Sequence, residues 1–508
     1  MNVKKYQVLI IGCGPTGVVL ANLLAKAGIK TAVLEKEKNI YPVPRATHID
    51  EESLRNLQLT GLMESLIKYT NTVGYADVVD EDYNILFEEN VIDTNSIHGF
   101  AGSCFFDQPA FEKILRDELV KYSHVTLFSA TEAVSAEYFE DQVHIKAKNN
   151  ITHEDLIFGA DWVIGCDGGR SFVREQENIS MDSRAPKKYW LIVDTLLKDI
   201  AEASLLPDRF RYVLNPERLT IYAYGFGNNR RWEFQLEEGE PIPDQSTINH
   251  WLSKFIASEK LEVIRVLSYT HNSLVAKDWR KNRMFIAGDA AHMMPPSAGQ
   301  GMCSGIRDAV NLAWKLTQVI NNNVPEDILD TYEEERKPHV TEILKGSLFI
   351  SERLEADTDF QKRLRELQFK IVQKIPPLKS LLRHASLRRI PLKSGFFNKE
   401  DKLGGHHLPQ FTATRYRETY WSDDLLSYQF ALITLNGQIE ENLLKMTQQM
   451  GIKTINLEVN YPYFKEKFNH WFHENNIEYA IVRPDLIIYS TGKMSELGKN
   501  LKKLSLPQ

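Results

Sequence analysis

The stretch QVLIIGCGPTGVVLANLLAKAG, residues 7–28, places an apolar run before a glycine-rich turn and a pattern of small residues with helical spacing. We predict a strand over residues 7–11, a turn over 12–17 and a helix over 18–27 that is closed by Gly28. Residues 31–34 predict a second strand. Parallel strands joined by a helix form a βαβ unit, so this stretch predicts an α/β fold with a doubly wound sheet.

The turn GCGPTG, residues 12–17, has the spacing of a dinucleotide-binding loop. Gly12 permits the tight turn, Gly14 lets a pyrophosphate approach the backbone, and Gly17 lets the helix pack closely on the strand. Thr16 lies inside the same loop, and we expect it at the cofactor as well. Glu35 follows the second strand, where a carboxylate accepts hydrogen bonds from an adenosine ribose but repels a 2′-phosphate. The pattern predicts FAD or NAD as the ligand.

Two further motifs follow predicted apolar strands. AGDAAH, residues 287–292, leads through Pro295, Pro296 and GQGM, residues 299–302, into a predicted helix over 307–320. Its carboxylate, Asp289, is suited to ribityl hydroxyls, and the glycine-flanked helix start is suited to negative charge on a reduced flavin. CDGGRS, residues 166–171, is the other motif. Each alone also fits a plain strand-to-helix turn, but behind a dinucleotide fold they support one another.

Composition limits the classes of partner. The 61 Lys and Arg against 68 Asp and Glu give a net charge of −7, so no nucleic-acid partner is expected. No other stretch approaches the roughly 18 apolar residues of a membrane span, so no integral membrane association is expected. Ile10-Ile11-Gly12-Cys13 also resembles a lipoprotein cleavage site. The strand, turn and helix that these residues fit favour the dinucleotide loop instead.

The four cysteines, Cys13, Cys104, Cys166 and Cys303, are scattered and lack metal-ligand spacing. We therefore expect a cytoplasmic protein without a metal site. A chain of 508 residues exceeds one ordinary core, which predicts two or three domains. Monomer and homodimer both remain open.

The rest of the chain changes character along its length. Alternating segments between residues 189 and 269 predict an antiparallel sheet, which makes the first domain discontinuous. Residues 360–393 are rich in Lys and Arg, including Arg388 and Arg389, and predict amphipathic helices broken at Pro376-Pro377. A solvated helical face is favoured over a membrane-surface or acidic-partner patch. GGHHLP, residues 404–409, predicts a linker, and strands over 430–434, 454–457 and 478–482 with a helix over 462–474 predict a small α/β domain.

With these motifs the chain resembles the class A flavoprotein monooxygenases, the family of p-hydroxybenzoate hydroxylase and phenol hydroxylase. Nearly the whole chain is covered, and the stretch 44–54, which begins PRA, RRWEF at 230–234 and the stretch 279–315 look similar to the 3-(3-hydroxyphenyl)propionate hydroxylase branch. The resemblance implies a Rossmann-like, glutathione-reductase-type FAD-binding domain over 1–180 and 270–345. It further implies a substrate-binding sheet over 181–269 with part of 75–105, a helical segment over 346–403 and a thioredoxin-like domain over 404–508.

The resemblance also implies roles for individual residues. Glu35 would hold the adenosine ribose, Arg45 and Gln108 the pyrophosphate or ribityl region, and Asp289 the ribityl chain. The C-terminal segment IVRPD, residues 481–485, resembles the thioredoxin-like domain of several members and lacks a CxxC pair, so dithiol chemistry is not expected.

Further implied contacts lie at the flavin ring. Gly301 and Met302 would lie beside the isoalloxazine, while Asp167 and Arg170 would support FAD and the transient approach of NADH or NADPH. Cys303 departs from the family pattern, since many relatives have Asn there, which puts a side-chain role at this position in doubt.

The implied reaction is hydroxylation of a phenolic aromatic substrate. NAD(P)H reduces FAD, the reduced flavin reacts with O2, and a flavin hydroperoxide delivers oxygen to the ring while water is excluded. Two alternatives stay open. One is tailoring of a polycyclic phenol or quinone in secondary metabolism, and the other is a flavin-binding redox regulatory protein, suggested by the basic stretch and the extra domain.

Substrate contacts are less clearly indicated. His48 could accept a phenol proton or be structural. Arg231 could bind a substrate carboxylate or form an ion pair on the sheet surface. Tyr222 and Tyr224 could line a pocket or pack, and Pro296 is the substrate-side contact that the resemblance implies.

Overall fold

The computed structural model describes residues 3–92, 96–215, 217–355, 358–379, 390–415, 418–435 and 439–504. Its strands, in chain order, are β1 Lys4–Ile11, β2 Thr31–Leu34, β3 His48–Asp50, β4 Thr70–Thr72, β5 Tyr75–Asp80, β6 Ile85–Asn90, β7 Ser103–Phe106, β8 Val125–Phe128, β9 Thr131–Phe139, β10 Gln142–Asn149, β11 Asp155–Gly165, β12 Met181–Ser183, β13 Lys188–Leu197, β14 Phe210–Leu214, β15 Leu219–Ala223, β16 Asn229–Leu236, β17 Leu261–His271, β18 Leu274–Ala276, β19 Arg280–Lys281, β20 Met284–Ile286, β21 His292–Met293, β22 Thr412–Arg415, β23 Glu418–Trp421, β24 Ala431–Thr434, β25 Lys453–Asn456, β26 Tyr479–Val482 and β27 Ile488–Gly492.

The helices, again in chain order, are α1 Pro15–Lys26, α2 Glu51–Gln58, α3 Met63–Leu66, α4 Gln108–Leu119, α5 Phe172–Gln176, α6 Gln245–Ser253, α7 Gln300–Asn322, α8 Thr331–Leu354, α9 Asp359–Lys374, α10 Glu441–Gln449, α11 Leu457–Asn460, α12 Pro462–Glu474 and α13 Leu497–Lys503. Short 3₁₀ turns connect them at Ile67–Tyr69, Ile200–Leu205, Ser258–Lys260, Gly288–Ala290, Pro296–Ala298, Glu326–Asp330, Ser422–Leu425 and Met494–Glu496.

The first sheet carries the predicted βαβ unit. Its order is β19-β20-β11-β1-β2-β8, with β9 and β10 continuing from β11. The strands β20, β11, β1, β2 and β8 run parallel. Val8, Leu9 and Ile10 in β1 are completely buried, as expected for a parallel strand covered on both faces. The chain is therefore a mixed α/β protein with several sheets.

The second sheet has the order β17-β13-β16-β15-β14-β5-β6 and is antiparallel except between β14 and β5. Along β16 the side chains alternate, so that Trp232 and Phe234 pack with Leu252 of α6 on one face. Arg231 and Glu233 lie on the opposite face. We call this opposite face the inner face, because its Arg231 contacts the loop at Arg45 that follows β2.

The helix α7 passes through the centre of the molecule. Every residue from Cys303 to Leu316 is buried, and the helix packs against α1, α2 and α8. The helix begins seven residues earlier than predicted, at Gln300, because Gly299 adopts a left-handed conformation with φ of 63° and ends the preceding 3₁₀ turn.

The C-terminal part forms its own sheet in the order β25-β24-β26-β27, in which β24 and β25 are parallel and β26 and β27 form a hairpin. The predicted linker at 404–409 is wrong. The amide of Gly405 donates to Ile488 O at 3.0 Å and that of Leu408 to Leu486 O at 3.0 Å, so this stretch is held along β27. His407 Nε2 also lies 3.3 Å from Glu52 Oε1 and Leu408 is buried, and a flexible linker lacks such contacts.

The basic stretch contains α9. One face of this helix is solvated, as predicted, while another face packs against the protein. Phe369 packs on Phe87 of β6 with ring centroids 6.0 Å apart, and Arg365 is buried and donates to the carbonyl of Leu354. Arg388 and Arg389 of the same stretch lie outside the described residues. No helix in the described ranges is long and apolar enough to cross a membrane.

Candidate cofactor and substrate site

Four neighbouring parallel strands end at one edge of the first sheet. In the order β2, β1, β11, β20 they lead directly to Glu35, Gly12, the loop containing Asp167, and the turn containing Asp289. The three motifs lie far apart in the sequence, and the sheet brings them side by side. The carboxyl edge of such a sheet is where α/β proteins bind nucleotides.

Glycine is required at two positions of the first loop. Gly12 has φ of 98°, and a Cβ there would collide with the carbonyl of Cys166, while a Cβ at Gly17 would collide with the carbonyl of Gly12. Gly14 differs, because a Cβ there would meet no atom within 4 Å. The amides at the start of α1 therefore face open space, which fits an approaching pyrophosphate.

Thr16 connects this loop to the third motif. Its side chain lies where a Cβ on Gly288 or on Gly305 of α7 would otherwise be. Gly288 also has φ of 62°, which favours glycine. Thr16 thus packs between the first loop, the Asp289 turn and α7.

Glu35 is held at the end of β2 by backbone amides. Its Oε2 accepts from Cys13 N at 2.8 Å and its Oε1 from Glu37 N at 3.0 Å. Arg116 of α4 donates to Cys13 O at 2.6 Å and fixes the same loop from the other side. A carboxylate fixed here is suited to a ribose diol.

Gln108 organises the loop at Arg45. Its Oε1 accepts from the amides of Arg45 at 2.8 Å and Ala46 at 2.7 Å, and its Nε2 donates to Glu112 at 2.8 Å. The Arg45 side chain stays exposed beside the Tyr41 ring. Gln108 therefore positions Arg45, whose guanidinium is free to approach an anion.

Arg231 holds the same loop from the second sheet. Its Nε donates to Asp194 at 2.8 Å, and its other nitrogens donate to the carbonyls of Arg45 at 2.8 Å and Pro44 at 2.5 Å. Arg265 binds Asp194 and Pro44 as well, each at 2.7 Å. This ion pair is buried, in contrast to the predicted pair on the sheet surface. Asp194 was missed, although a lone acid in the apolar strand KYWLIVDTLL is a recognisable signal.

The second motif leaves a hydrogen-bond acceptor open. Asp167 Oδ2 accepts from Val173 N at 3.2 Å, whereas its buried Oδ1 has no partner among the described residues. Burial raises the pKa of this carboxyl. Gly168 has φ of 81° with no atom within 4 Å of a Cβ, and Arg170 is exposed. A buried acceptor beside open space fits a donor from a bound ligand.

The Asp289 turn depends on Asp308 of α7. Asp308 accepts from Gly288 N at 3.1 Å, His292 Nε2 at 2.6 Å and Arg336 Nε at 2.9 Å. Burial alone would raise the pKa of Asp308, but His292 and Arg336 outweigh it and lower the pKa to about 2. Asp308 was also missed; a charged pair inside the apolar stretch of α7 was the available signal.

Asp289 itself is exposed at the end of β20. Desolvation by the surrounding protein nevertheless raises the pKa of its carboxyl. The charges of His292 and Arg45 oppose this shift. The start of α7 lies nearby, where a Cβ on Gly301 would meet only Met294, at 3.8 Å. Together with Gly14 and Gly168, these open positions fit a dinucleotide cofactor along the strand ends.

His48 joins the start of α7 to the second sheet. Its Nδ1 lies 3.4 Å from Gly299 O, and its ring meets that of Phe210 edge-on with centroids 6.2 Å apart. Burial lowers the pKa of His48. Pro296 begins the 3₁₀ turn before α7, and Met302 is half-buried against the core. His48, Pro296 and Met302 therefore border the same region.

Tyr222 lies away from this region, which corrects its prediction as a pocket residue. It is completely buried with Trp232, at a centroid distance of 5.4 Å, on the face covered by α6. Strand alternation directs it there. Tyr224 follows the end of β15, where the Arg230 guanidinium lies 3.7 Å from its ring centroid.

Two surface grooves lie elsewhere. One of about 640 Å³, lined by Arg280, Glu333 and Lys337, is at the amino end of β20, opposite to Asp289. The other, of about 300 Å³, is lined by Pro42, Pro44 and Lys113 on the outer side of the Arg45 loop. Neither contains the strand ends described above.

Comparison with known proteins agrees with this arrangement. A family model described as FAD binding domain matches residues 5–347. Curated relatives named 3-(3-hydroxy-phenyl)propionate/3-hydroxycinnamic acid hydroxylase, from Klebsiella pneumoniae subsp. pneumoniae and Escherichia coli, are 28% identical and cover 98% of this chain and 94% of their own length.

Solved structures share the fold over the full length. The flavin-dependent monooxygenase PieE, in complex with FAD and substrate, has a TM-score of 0.83 at 17% identity and covers 98% of this chain and 99% of its own. Aklavinone-11 hydroxylase, in a ternary complex with FAD and aklavinone, has a TM-score of 0.78 at 19% identity and covers 99% of each chain.

Proposed function

The chain belongs to the FAD-binding domain family, and we propose that it hydroxylates a phenolic aromatic compound with O2, using FAD that NADH or NADPH reduces. The observation that carries this proposal is the convergence of four strand ends beside the inner face of the second sheet. The names of the curated hydroxylases, which match 98% of the chain, support the same activity.

We assign the FAD-binding residues as follows. The amides of the Gly12–Gly17 loop would bind the pyrophosphate, Glu35 the ribose, and Asp289 the ribityl chain. The remaining candidates would contact or support the flavin and the approaching nicotinamide nucleotide, and they are Thr16, Arg45, Gln108, Asp167, Arg170, Gly301 and Met302. Gln108 and Thr16 act by positioning, because their side chains hold the loop at Arg45 and the Asp289 turn.

Bound FAD supplies the electron transfer from NAD(P)H and the activation of O2. The chain itself orients the ring and excludes water. When FAD is bound, the helix amides at the start of α7 and the positive end of its dipole would stabilise negative charge on the cofactor. His48 and Pro296 border the substrate side of this helix start, and Arg231 keeps the sheet and the Arg45 loop together.

A polycyclic phenol is the second candidate substrate. Leu267 and Tyr269 are 43% and 42% exposed although they lie on the inner face of β17. This open apolar surface suits a ligand larger than one ring.

We also propose the domain organisation. The FAD-binding domain comprises residues 1–180 and 270–345, the substrate domain 181–269 with part of 75–105, and 346–403 is a connecting segment that contains the end of α8 and α9. Residues 404–508 form a thioredoxin-like domain, supported by a parallel β24-α10-β25 unit followed by the β26-β27 hairpin and α13. No cysteine lies in this range, so the domain carries no dithiol.

The experiment is to purify the protein, record its visible spectrum and follow NADH and NADPH oxidation with O2 uptake across single-ring and polycyclic phenols. We expect a flavin spectrum, substrate-stimulated turnover and a product heavier by one oxygen atom. A protein that cannot be reconstituted with FAD would refute the proposal. Bound flavin without stimulation by any aromatic compound would instead favour the redox regulatory protein.

A further inference from the structure

One acidic side chain on the inner face of the second sheet is left without a partner. Strand pairing places Glu233 directly opposite Ile221 of β15 and Ile192 of β13. The same row continues to Tyr212 of β14 and Leu267 of β17. Cross-strand neighbours lie about 5 Å apart, so Glu233 is the single charged group in an apolar and aromatic row.

The adjacent row explains why Glu233 stays unpaired. There, Asp194 takes both available cations, Arg231 and Arg265, through hydrogen bonds of 2.8 and 2.7 Å. Glu233 is only 7% exposed, and its carboxyl has no hydrogen bond or ion pair with any described residue. A buried carboxyl without a partner destabilises a fold, so its retention calls for a ligand.

Glu233 shares the inner face of β16 with Arg231, whose guanidinium contacts the Arg45 loop. Tyr269 interacts electrostatically with both Glu233 and Asp289, and these charges together with burial raise the pKa of its phenol to about 12. Tyr269 and Leu267 are both partly exposed. Open apolar surface therefore lies on the inner face in the same cross-strand row as Glu233.

We propose that Glu233 accepts the phenolic hydroxyl of the substrate, so that the site selects aromatic rings carrying a hydrogen-bond donor and disfavours an anionic group at this position. This assignment rests on the proposed hydroxylase function and adds the substrate contact to it. The negative charge of Glu233 would repel a substrate carboxylate, which must then lie elsewhere.

Proton transfer to Glu233 balances without a further reactant. The phenolic O–H bond breaks, an O–H bond forms on the Glu233 carboxylate, and the electron pair stays on the phenolic oxygen. One negative charge moves from the carboxylate to the ring, which becomes more electron-rich. Burial raises the pKa of Glu233 against the opposing charge of Arg231, which makes the carboxylate a stronger base.

Several titratable or charged groups face Glu233 from the neighbouring elements. They are Arg231 on its own strand, Asp194 on β13, Arg265 and Tyr269 on β17, and Tyr212 on β14. The two arginines carry two positive charges against the single negative charge of Asp194, and burial raises the pKa of both tyrosines. Burial likewise raises the pKa of the Glu233 carboxyl, which is the side chain of this set that faces the apolar row.

The test compares holoenzyme of the wild type, Glu233→Gln and Glu262→Gln. Glu262 is an exposed acid on β17 of the same sheet, so its variant matches the charge change. Two probes are used: the phenol that most stimulates NAD(P)H oxidation by the wild type, and its O-methyl ether. Their binding is followed by the change in absorbance of the bound flavin, and turnover is measured over about pH 5 to 9.

We expect the wild type to bind the phenol about tenfold more tightly than the ether, and Glu233→Gln to bind both equally. The kcat of Glu233→Gln should fall about 100-fold relative to the wild type. In this variant the acidic limb of the pH profile of kcat/KM should disappear. FAD affinity should not change. Glu262→Gln should match the wild type throughout.

Thermal unfolding separates this role from a structural one. Because an amide removes a buried charge that has no hydrogen-bond partner among the described residues, Glu233→Gln should be at least as stable as the wild type. Unchanged phenol selectivity and kcat would overturn the assignment, as would a loss of FAD affinity or of stability in place of the loss of selectivity. If no phenol stimulates the wild type, the proposed function fails, whatever the variant does.

Discussion

His292 and Asp308 are both completely buried, and His292 Nε2 lies 2.6 Å from the Asp308 carboxylate. The Gly288 amide donates to the same oxygen, Oδ2, and the other oxygen, Oδ1, accepts from Arg336 at 2.9 Å. The turn that carries Asp289 is therefore fixed by a residue of α7, twenty positions further along the chain.

Lowering the pH should reduce the folding stability that the Asp308 network confers. Its pKa is about 2 in the folded protein against an ordinary 3.8, so the unfolded chain binds the proton more readily. The stability that Asp308 confers is complete above pH 3.8 and is lost as the pH falls towards 2, by about 2 kcal/mol. Denaturant titrations of the wild type and Asp308→Asn should show this pH dependence only in the wild type.

At neutral pH, Asp308→Asn should lose about 3 kcal/mol, because His292 and Arg336 then lack a buried anion. The control is Asp330→Asn, which removes an exposed partner of Arg280 and should cost less than about 1 kcal/mol. Equal losses in the two variants would contradict this account.

Gly14→Ala should separate folding from cofactor binding. Gly14 has φ of −74° and open space around a Cβ, so alanine should leave stability unchanged or raise it by less than about 1 kcal/mol. The added methyl group would occupy the path of the pyrophosphate, and we expect FAD affinity to fall at least about tenfold. Fluorescence titration of the apoprotein with FAD measures this effect. Gly74→Ala, also in open space, should retain full affinity.

Replacing Arg231 should loosen the Arg45 loop. Arg231→Ala leaves Asp194 with Arg265 alone and removes two donors to the loop carbonyls, so we expect a loss of about 3 kcal/mol. Arg231→Lys should recover little of this stability, because one ammonium group cannot reproduce the geometry of a guanidinium group that binds three acceptors. Urea unfolding measures both variants. Arg184→Ala, which removes a surface pair, should change stability by less than about 1 kcal/mol.

The C-terminal part should separate when Arg483 is removed. Arg483 binds Glu335 of α8 through two hydrogen bonds of 2.9 Å, with both side chains completely buried. Arg483→Ala leaves Glu335 with Lys315 as its remaining cation, and we expect rapid proteolysis before β24 while FAD stays bound. Limited trypsin digestion tests this expectation against Lys445→Ala, an exposed pair on α10. Resistance equal to that of the control would contradict the prediction.

Much of the fold could be predicted because the hydrophobic periodicity and the turn residues of each element are local features of the sequence. The strand and helix around Gly12, the strand at Thr31–Leu34 and the helix at Pro462–Glu474 follow from periodicity and from glycine geometry within a few residues. The fourth C-terminal strand, Ile488–Gly492, was not predicted, although the apolar run LIIY at 486–489 was an available signal. The site was predicted at the level of motifs, while Asp194, Asp308 and Glu233 were not assigned.

The sequence by itself determined the dinucleotide loop, the acid at Glu35 and the family, since each is recognised from short motifs whose residues lie close together in the chain. Only the tertiary structure decided that Arg231 binds Asp194 and the Arg45 loop, that Tyr222 faces α6, and that Glu233 is left unpaired. The physical reason is that a turn or a helix is fixed by local sterics and hydrogen bonds. Charge pairing across strands depends instead on which distant side chains the sheet brings within about 3 Å of one another.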